Sequence, residues 1–228
     1  MNPVRSVPDA DAYAPPPDTG LEVLHEEAAF VVLVKPPGLL SEPGRGPDKR
    51  DSLLVRAQAR WHDARIVHRL DMMTSGVIVL AREALAHASL SEAFRERHVD
   101  KRYEALVHGR PAQAEGTIDL PLVVDWPNRP RQVVCHATGK PSRTHYRVTG
   151  EAHVDGVGPL TRVALEPVTG RTHQLRVHLA SLGCPIAGDP FYGIAGDASP
   201  RMMLHACRLA LPHPLTGEPL AFESAVPF

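Results

Sequence analysis

Four consecutive residues, His68-Arg69-Leu70-Asp71, bring together side chains that are able to do chemistry. They place a carboxylate beside a guanidinium and an imidazole, just before the apolar run Val77–Ala81. Charged groups in such a position cost desolvation free energy unless they are paired or take part in a reaction. One alternative is a structural carboxylate that pairs with Arg69 or caps a turn. Because the loop joins two apolar segments, we expect Asp71 at the mouth of a cleft.

A second cluster, Gly170-Arg171-Thr172-His173-Gln174, lies between a predicted strand and a predicted helix that begins near Thr172. Arg171 would therefore be a cation beside the positive end of a helix, which the helix dipole disfavours. A carboxylate partner would compensate, and Asp71 is our candidate, held ionised and oriented by the arginine. The alternative is a solvent-facing arginine.

Tyr103, in the segment Lys101-Arg102-Tyr103, begins another predicted strand. It is either an ordinary core residue or a cleft residue that stacks on a nucleobase and exchanges a proton through its hydroxyl. Asp189, in a turn-like Gly-Asp-Pro segment, is the leading candidate for a second carboxylate.

Metal and nucleotide-cofactor sites are not indicated by the sequence. His173 and His178 are five residues apart, His68 is remote, and there is no HExxH or clustered His/Cys pattern. Phosphate-binding loops and the nucleophile elbow of hydrolases are also missing. The sequence therefore favours neither a zinc site nor a nucleotide cofactor.

Composition restricts the class of protein. The chain has 228 residues, 43% hydrophobic and 22% charged, which predicts one globular domain. No apolar run approaches the roughly 18 residues of a membrane helix, and the first residues lack a signal-peptide core. Three widely spaced cysteines predict reduced thiols. We expect a cytoplasmic protein that does not bind membranes.

The formal net charge of −1 argues against a protein that binds nucleic acid over its whole surface. A basic cleft on a nearly neutral body remains compatible with an enzyme that acts on RNA. The basic residues that we expect to hold phosphates are Arg129, Arg131, Lys140 and Arg143.

The order of elements predicts an α+β fold with a mixed, mostly antiparallel sheet, flanking helices and a central cleft. Residues 1–20 contain five prolines and are expected to form a flexible or loosely docked leader, so the fold proper would begin near Leu21. Predicted strands are 29–35, 75–81, 101–107, 132–137, 144–148, 161–167, 202–211 and 220–224. Predicted helices are 83–97, 172–182 and one that Asp51-Ser52 can cap and that runs to about Trp61.

The chain resembles the RluA family of pseudouridine synthases. The resemblance rests on HRLDxxTSG, GRTHQLRVHL and GDPFYG, supported by KPPGLLSEPGR, KRYEALVHG and LHACRLALPHPLTG in the family order. It extends from about residue 24 to the end of the sequence. The segment DWPNRP at residues 125–130 is similar to members that act on a uridine in the transfer-RNA anticodon loop and on one in large-subunit ribosomal RNA.

The resemblance implies a role for each matching residue. Asp71 would be the essential aspartate, Tyr103 would stack on the target uracil, and Arg171 would pair with the aspartate. Arg69 would enter the RNA where the base was removed, and Thr74 would help to shape the loop. The expected RNA contacts are Arg69, His68, Thr74, Arg129, Arg131, Lys140 and Arg143.

The same resemblance implies an isomerase that acts on structured RNA, a transfer-RNA or ribosomal stem-loop, without a cofactor and as a monomer. Residues 21–228 would form the catalytic domain, without the S4-type RNA-binding domain of many members. Two alternatives stay open. One is a glycoside or nucleoside hydrolase, which would need a second carboxylate such as Asp189 or Glu104. The other is a non-catalytic RNA-binding module.

Overall fold

The computed structural model describes residues 13–228. The strands are β1 (Glu22–Glu26), β2 (Phe30–Lys35), β3 (Arg65–Ile66), β4 (Ser75–Ala81), β5 (Asp100–Val107), β6 (Glu115–Asp119), β7 (Leu122–Val124), β8 (Gln132–Val134), β9 (Arg143–Val154), β10 (Gly158–Pro167), β11 (Leu204–Pro212) and β12 (Pro219–Glu223). The helices are α1 (Leu53–Arg60), α2 (Ala84–Arg95) and α3 (Gln174–Ser181).

Ten strands form one mixed sheet in the order β1-β2-β4-β11-β5-β10-β9-β6, with β12 paired to β11 and β3 to β4. The β4–β11 pair is parallel and the other pairs of this sheet are antiparallel. The prediction of an α+β fold with a mostly antiparallel sheet is confirmed.

Strand β4 is buried along its whole length and holds the loop that precedes it. Alternate side chains point to opposite faces of a strand. Accordingly Val79 packs in the core beside Leu90 of α2, whereas Ile78 packs in the core beside Leu53 of α1. Because both faces are covered, the sequence of β4 is a continuous apolar run rather than an alternating one. The residues before Ser75 are thus attached to one of the most rigid parts of the sheet.

Glycine is required where β4 meets β11. Gly76 has φ 119°, and a Cβ there would lie 2.2 Å from the backbone oxygen of Ala206. Another residue would force the parallel strands apart, so Gly76 sets the position of the preceding loop.

Helix α1 begins as predicted, with Ser52 as its N-cap: the Ser52 Oγ accepts the N–H of Val55 at 3.3 Å. Helix α3 begins two residues later than predicted. His173 has φ 55°, so the chain turns there before the helix starts at Gln174. The side chain of Gln174 accepts the backbone N–H of Arg171 and the hydroxyl of Thr169, which closes residues 169–173 into a loop.

The described part of the predicted leader contacts the body of the protein. The Tyr13 hydroxyl accepts the N–H of Leu40 and donates to the carbonyl of Asp51, and Arg56 of α1 donates to the carbonyls of Pro16 and Pro17. Residues 13–20 are therefore docked, and the predicted boundary near residue 21 falls inside a segment with tertiary contacts. The rest of the predicted leader lies outside the described residues.

Candidate active site

A cleft of about 890 Å³ opens where the loop before β4, strand β5 and the loop before α3 meet. Asp71, Tyr103 and Arg176 line it together. The sequence expectation that Asp71 stands in a cleft is met by this geometry. The volume is within the range of sites that enclose a small ligand.

Asp71 lies in a tight turn that the backbone fixes. The N–H of Thr74 donates to the carbonyl of Asp71 at 3.0 Å, and the N–H of Gly38 donates to the carbonyl of Met72 at 2.9 Å. The Asp71 side chain is 26% exposed, and its Oδ2 lies 3.3 Å from Nη1 of Arg176. The carboxylate is thus held on one side and open to the cleft on the other.

The predicted pairing of Asp71 with Arg171 is wrong, because Arg176 takes that position. Arg171 is exposed in the loop before α3, and its Nε donates to the carbonyl of Pro141 at 3.4 Å. The error came from the helix start: since α3 begins at Gln174, Arg171 does not occupy its first turn. The clue that the sequence offered was a lone arginine between Leu175 and Val177, inside an apolar helix.

Arg176 joins two carboxylates. Its side chain is 3% exposed, and its Nε and Nη2 donate to Asp189 at 2.7 and 2.8 Å. Asp189 is fully buried and also accepts the backbone N–H groups of Phe191 and Tyr192. Burial opposes ionisation of Asp189, but the bonds from Arg176 outweigh it and hold the pKa of the carboxyl below its ordinary value. The same partners, against burial, raise the pKa of Arg176.

Lys35 is a buried cation beneath the catalytic turn, and our sequence analysis missed it. It is the last residue of β2, and its Nζ donates to the carbonyls of Pro36, Leu39 and Met72 at 2.9, 2.7 and 3.0 Å. Burial lowers its pKa to about 7, against an opposing effect of the nearby Asp71 charge. A lysine that ends an apolar strand just before Pro-Pro-Gly was the available signal. The ammonium ties the 36–39 loop to the Asp71 turn.

Tyr103 is half-buried in the wall of the cleft. Burial raises the pKa of its hydroxyl, and the negative charge of Asp71 acts in the same direction. The phenol is therefore protonated near neutral pH. It can stack or donate a hydrogen bond, but it is a poor base.

His68 is fixed within the protein rather than presented as a cation. Its ring stacks on Phe94 with centroids 4.3 Å apart, and its Nε2 accepts the N–H of Val79 at 3.2 Å. Burial lowers its pKa to about 3, with Lys101 acting in the same direction. A neutral imidazole that accepts a backbone bond orients the turn. The residue lines the cleft, so the predicted RNA contact of His68 stays a prediction, made by a neutral ring rather than by a cation.

Arg69 stands at the rim of the cleft. Its side chain is 63% exposed and its Nη1 lies 2.6 Å from Oε1 of Glu42. Thr74, in contrast, is buried and supports the turn through its backbone N–H, so its contribution to the site is structural.

The four basic residues expected to hold phosphates are not among the cleft-lining residues in the described part of the chain. Arg143 pairs with Asp119 at 2.6 Å, and Arg131 donates to the carbonyl of Phe191 while lying over the ring of Tyr192. Arg129 lies over the exposed Trp126 ring at 4.5 Å, in the segment between β7 and β8. Lys140 is exposed, and its backbone bridges to Leu122. Arg131 thus docks the β7–β8 hairpin, Arg129 packs within it, and Arg143 joins β9 to β6.

Within residues 13–228, no group of three or more His, Cys, Asp or Glu side chains is arranged to hold a metal ion. The helices of that part are all too short or too polar to cross a membrane.

Comparison with known proteins places the chain in a family. Residues 29–181 match the model of the RNA pseudouridylate synthase family. The chain is 48% identical over 218 residues to the dual-specificity RNA pseudouridine synthase RluA of Escherichia coli O6:H1, covering 95% of this chain and 98% of that protein. The RluA of Pasteurella multocida is 45% identical over 219 residues, with the same two shares.

Solved structures agree with the sequence relatives. Human RNA Pseudouridylate Synthase Domain Containing 1 superposes with a TM-score of 0.78 at 31% identity, covering 94% of this chain and 87% of that one. The chain belongs to the RNA pseudouridylate synthase family. The predicted RluA-family membership, pseudouridine synthase fold and isomerase activity on RNA are confirmed.

Proposed function

We propose that this enzyme isomerises a uridine in the loop of a structured RNA, with Asp71 as the catalytic carboxylate. The observation that carries the proposal is the placement of Asp71 in the cleft, bonded to Arg176 on its inner side and 26% exposed. Arg176 is the positioning residue and takes the part that the sequence assigned to Arg171. A guanidinium at this distance fixes the direction of the carboxylate.

The reaction needs one reactive carboxylate and a closed site. The N1–C1′ bond breaks, the uracil turns, and C5 bonds to C1′. A proton leaves C5 and another is taken up at N1, and any bond that Asp71 forms is broken again, so that product and substrate are isomers. Atoms and electrons balance without a redox partner or cofactor. Asp71 starts cleavage by one of three routes: attack at C1′, addition at C6 of the ring, or removal of a ribose proton.

Tyr103 serves as the platform for the extruded uracil. Its ring stands in the same cleft as Asp71, and its raised pKa keeps the hydroxyl protonated. These facts support stacking rather than removal of the C5 proton. Water is then the acceptor of that proton.

Extrusion of the base costs a few kcal/mol, least for a base in a loop. Arg69 is exposed at the rim, where it pairs with Glu42. Its side chain would leave Glu42 and enter the space that the extruded uridine vacates in the RNA. An exposed ion pair contributes about 0–1 kcal/mol, so its loss costs little.

The hydrolase alternative lacks a free second carboxylate. Asp189 is fully buried and committed to Arg176 and two backbone N–H groups, and Glu104 pairs with Arg162 at 2.9 Å. Neither can activate a water opposite Asp71 without first losing these partners.

The test uses RNA labelled with tritium at uridine C5. The intact chain should release tritium while the base stays attached to the RNA, whereas release of free uracil would establish a hydrolase. Asp71→Asn should abolish release and retain RNA binding. Asp119→Asn, which breaks only an exposed pair with Arg143, is the matched control and should keep wild-type turnover. Full turnover in Asp71→Asn would refute the assignment.

The proposed targets are a transfer-RNA anticodon stem-loop, modified at a position of the uridine-32 type, and a stem-loop of 23S ribosomal RNA. Both targets come from the family resemblance of the sequence, and the relatives' description as dual-specificity enzymes is compatible with two targets. Mapping pseudouridine in cellular RNA from a deletion strain tests both at once. We also propose that the enzyme acts as a monomer, which sedimentation with and without RNA would check.

A further inference from the structure

The wall of the cleft beside Tyr103 carries two cations that no carboxylate neutralises in the described residues. Lys101 precedes Tyr103 by two positions on β5, so both side chains emerge on the same face of the strand, about 7 Å apart. Arg97 follows α2 and lines the cleft beside Lys101. Neighbouring basic residues are paired: Arg102 with Glu166, and Arg208 with Glu223.

Lys101 and Arg97 stand where the main cleft meets a second cavity of about 330 Å³. The Nζ of Lys101 would lie 3.8 Å from a Cβ placed on Gly170, so the ammonium approaches the loop that carries Arg171. Asp100 and Glu166 also line the second cavity. Asp100 points away from Lys101 on the strand, and Glu166 is engaged with Arg102.

Two physical costs accompany this pair. Burial and the charge of Arg97 both lower the pKa of Lys101, so each cation disfavours the other. Arg97 also has φ 64°, at a position after a helix where glycine is usual. The N–H of His98 bonds to the carbonyl of Ala93 there, which is a usual left-handed helix end.

We propose that Lys101 and Arg97 form a phosphate-binding subsite, which holds a backbone phosphodiester of the RNA next to the extruded uridine. The inference rests on the proposed function. A phosphodiester would supply the missing negative charge and bridge both cations. The subsite would therefore set which nucleotide reaches Asp71.

The experiment measures binding of a fluorescein-labelled synthetic anticodon stem-loop over a series of KCl concentrations. Lys101→Met should raise the Kd about tenfold, as expected for one charge-assisted contact. It should also reduce the slope of log Kd against log salt by about 0.7 to 0.9. Lys101→Arg should restore most of both. The control is Arg147→Gln on β9, whose partner is the exposed Glu115, and its salt slope should equal that of the wild type.

Arg97→Gly separates binding from stability. Glycine relieves the positive φ, so the Tm should rise while the Kd for the RNA increases and the salt slope falls. Wild-type Kd and salt slope in both Lys101→Met and Arg97→Gly would overturn the subsite, as would a weaker Kd at an unchanged slope. If the wild type releases tritium from RNA but the slopes do not change, only the subsite fails. If it releases none, the proposed function fails whatever the slopes.

Discussion

The inner end of the cleft and its rim use charge in opposite ways. At the inner end, the buried Arg176 contacts two carboxylates, Asp71 and Asp189, and most of its donors are satisfied within the protein. On the rim, Arg97 and Lys101 have no carboxylate partner among the described residues, and Arg171 contacts a backbone carbonyl. The inner charges therefore fix geometry, whereas the unpaired cations of the wall and rim are the ones that we propose bind RNA phosphate.

Substitutions in these two regions should change different properties of the protein. A buried guanidinium that loses a partner leaves an uncompensated charge, so changes there should act on folding and on the direction of Asp71. Arg97 and Arg171 are exposed and contribute little to stability, so their substitution should act on RNA affinity and its salt dependence.

The largest effect should follow Arg176→Met. Asp189 would stay fully buried without its bidentate partner, which costs about 3–5 kcal/mol of unfolding free energy. Urea denaturation measures this change, and tritium release should be lost as well because Asp71 is no longer held. Arg171→Met is the matched control. Equal destabilisation by the two substitutions would erase the distinction between inner end and rim.

Lys35→Met should rank second. The substitution removes three hydrogen bonds from a buried ammonium and leaves the carbonyls of Leu39 and Met72 without that donor. We expect a loss of about 2–3 kcal/mol and a lower rate of tritium release, because the Asp71 turn loses its support. Lys140→Met, at an exposed position, should change stability by less than about 0.5 kcal/mol. An unchanged turnover would show that the turn holds its shape without Lys35.

The sequence predicted what depends on local pattern. The seven apolar or small residues of β4 and the Ser52 cap of α1 were predicted at the observed positions, because both signals are local. Strands β1 and β6 were not predicted, since edge strands are half-exposed and short and their patterns are weak. The same holds for the candidate site, because Asp71 and Tyr103 lie within sequence motifs that can be recognised locally.

Partner choice, in contrast, could not be obtained from the sequence. Whether Arg171 or Arg176 reaches Asp71 depends on where α3 begins, and the left-handed backbone of His173 decides that. The roles of Arg131 and Arg143 depend on contacts with distant segments, at Phe191 and Asp119. The positive charge of a residue does not by itself show whether its side chain makes contacts within the protein or faces the cleft.

A pH experiment tests whether a buried imidazole at the inner end of the cleft stays neutral. His173 is buried between Tyr192 and the Asp71–Arg176–Asp189 group, and burial lowers its pKa to about 4 from an ordinary value of about 6.5. Between these values the unfolded chain binds more protons, so stability is fully present above pH 6.5 and falls as the pH falls toward 4.

His173→Asn should flatten this acid dependence by about 1–3 kcal/mol over the window. Asparagine tolerates the left-handed backbone and does not titrate, so the fold is kept. Urea unfolding at pH 7 and pH 4.5 measures the difference. The His68→Asn variant tests the same effect at a second buried imidazole, because burial lowers the pKa of His68 to about 3. Identical pH profiles for wild type and His173→Asn would mean that the imidazole has the same pKa in the folded as in the unfolded chain.

The smallest effect on stability should come from Arg171→Ala. Its guanidinium is exposed and makes one long bond to the carbonyl of Pro141, so unfolding free energy should change by less than about 0.5 kcal/mol. RNA binding should weaken a few-fold with a shallower salt dependence, because the residue faces the cleft. Arg110→Ala, which breaks an exposed pair with Glu151, should leave both unchanged. A collapse of turnover at saturating RNA, as in Asp71→Asn, would return Arg171 to the catalytic role that its sequence motif suggested and would blur the boundary between rim and inner end.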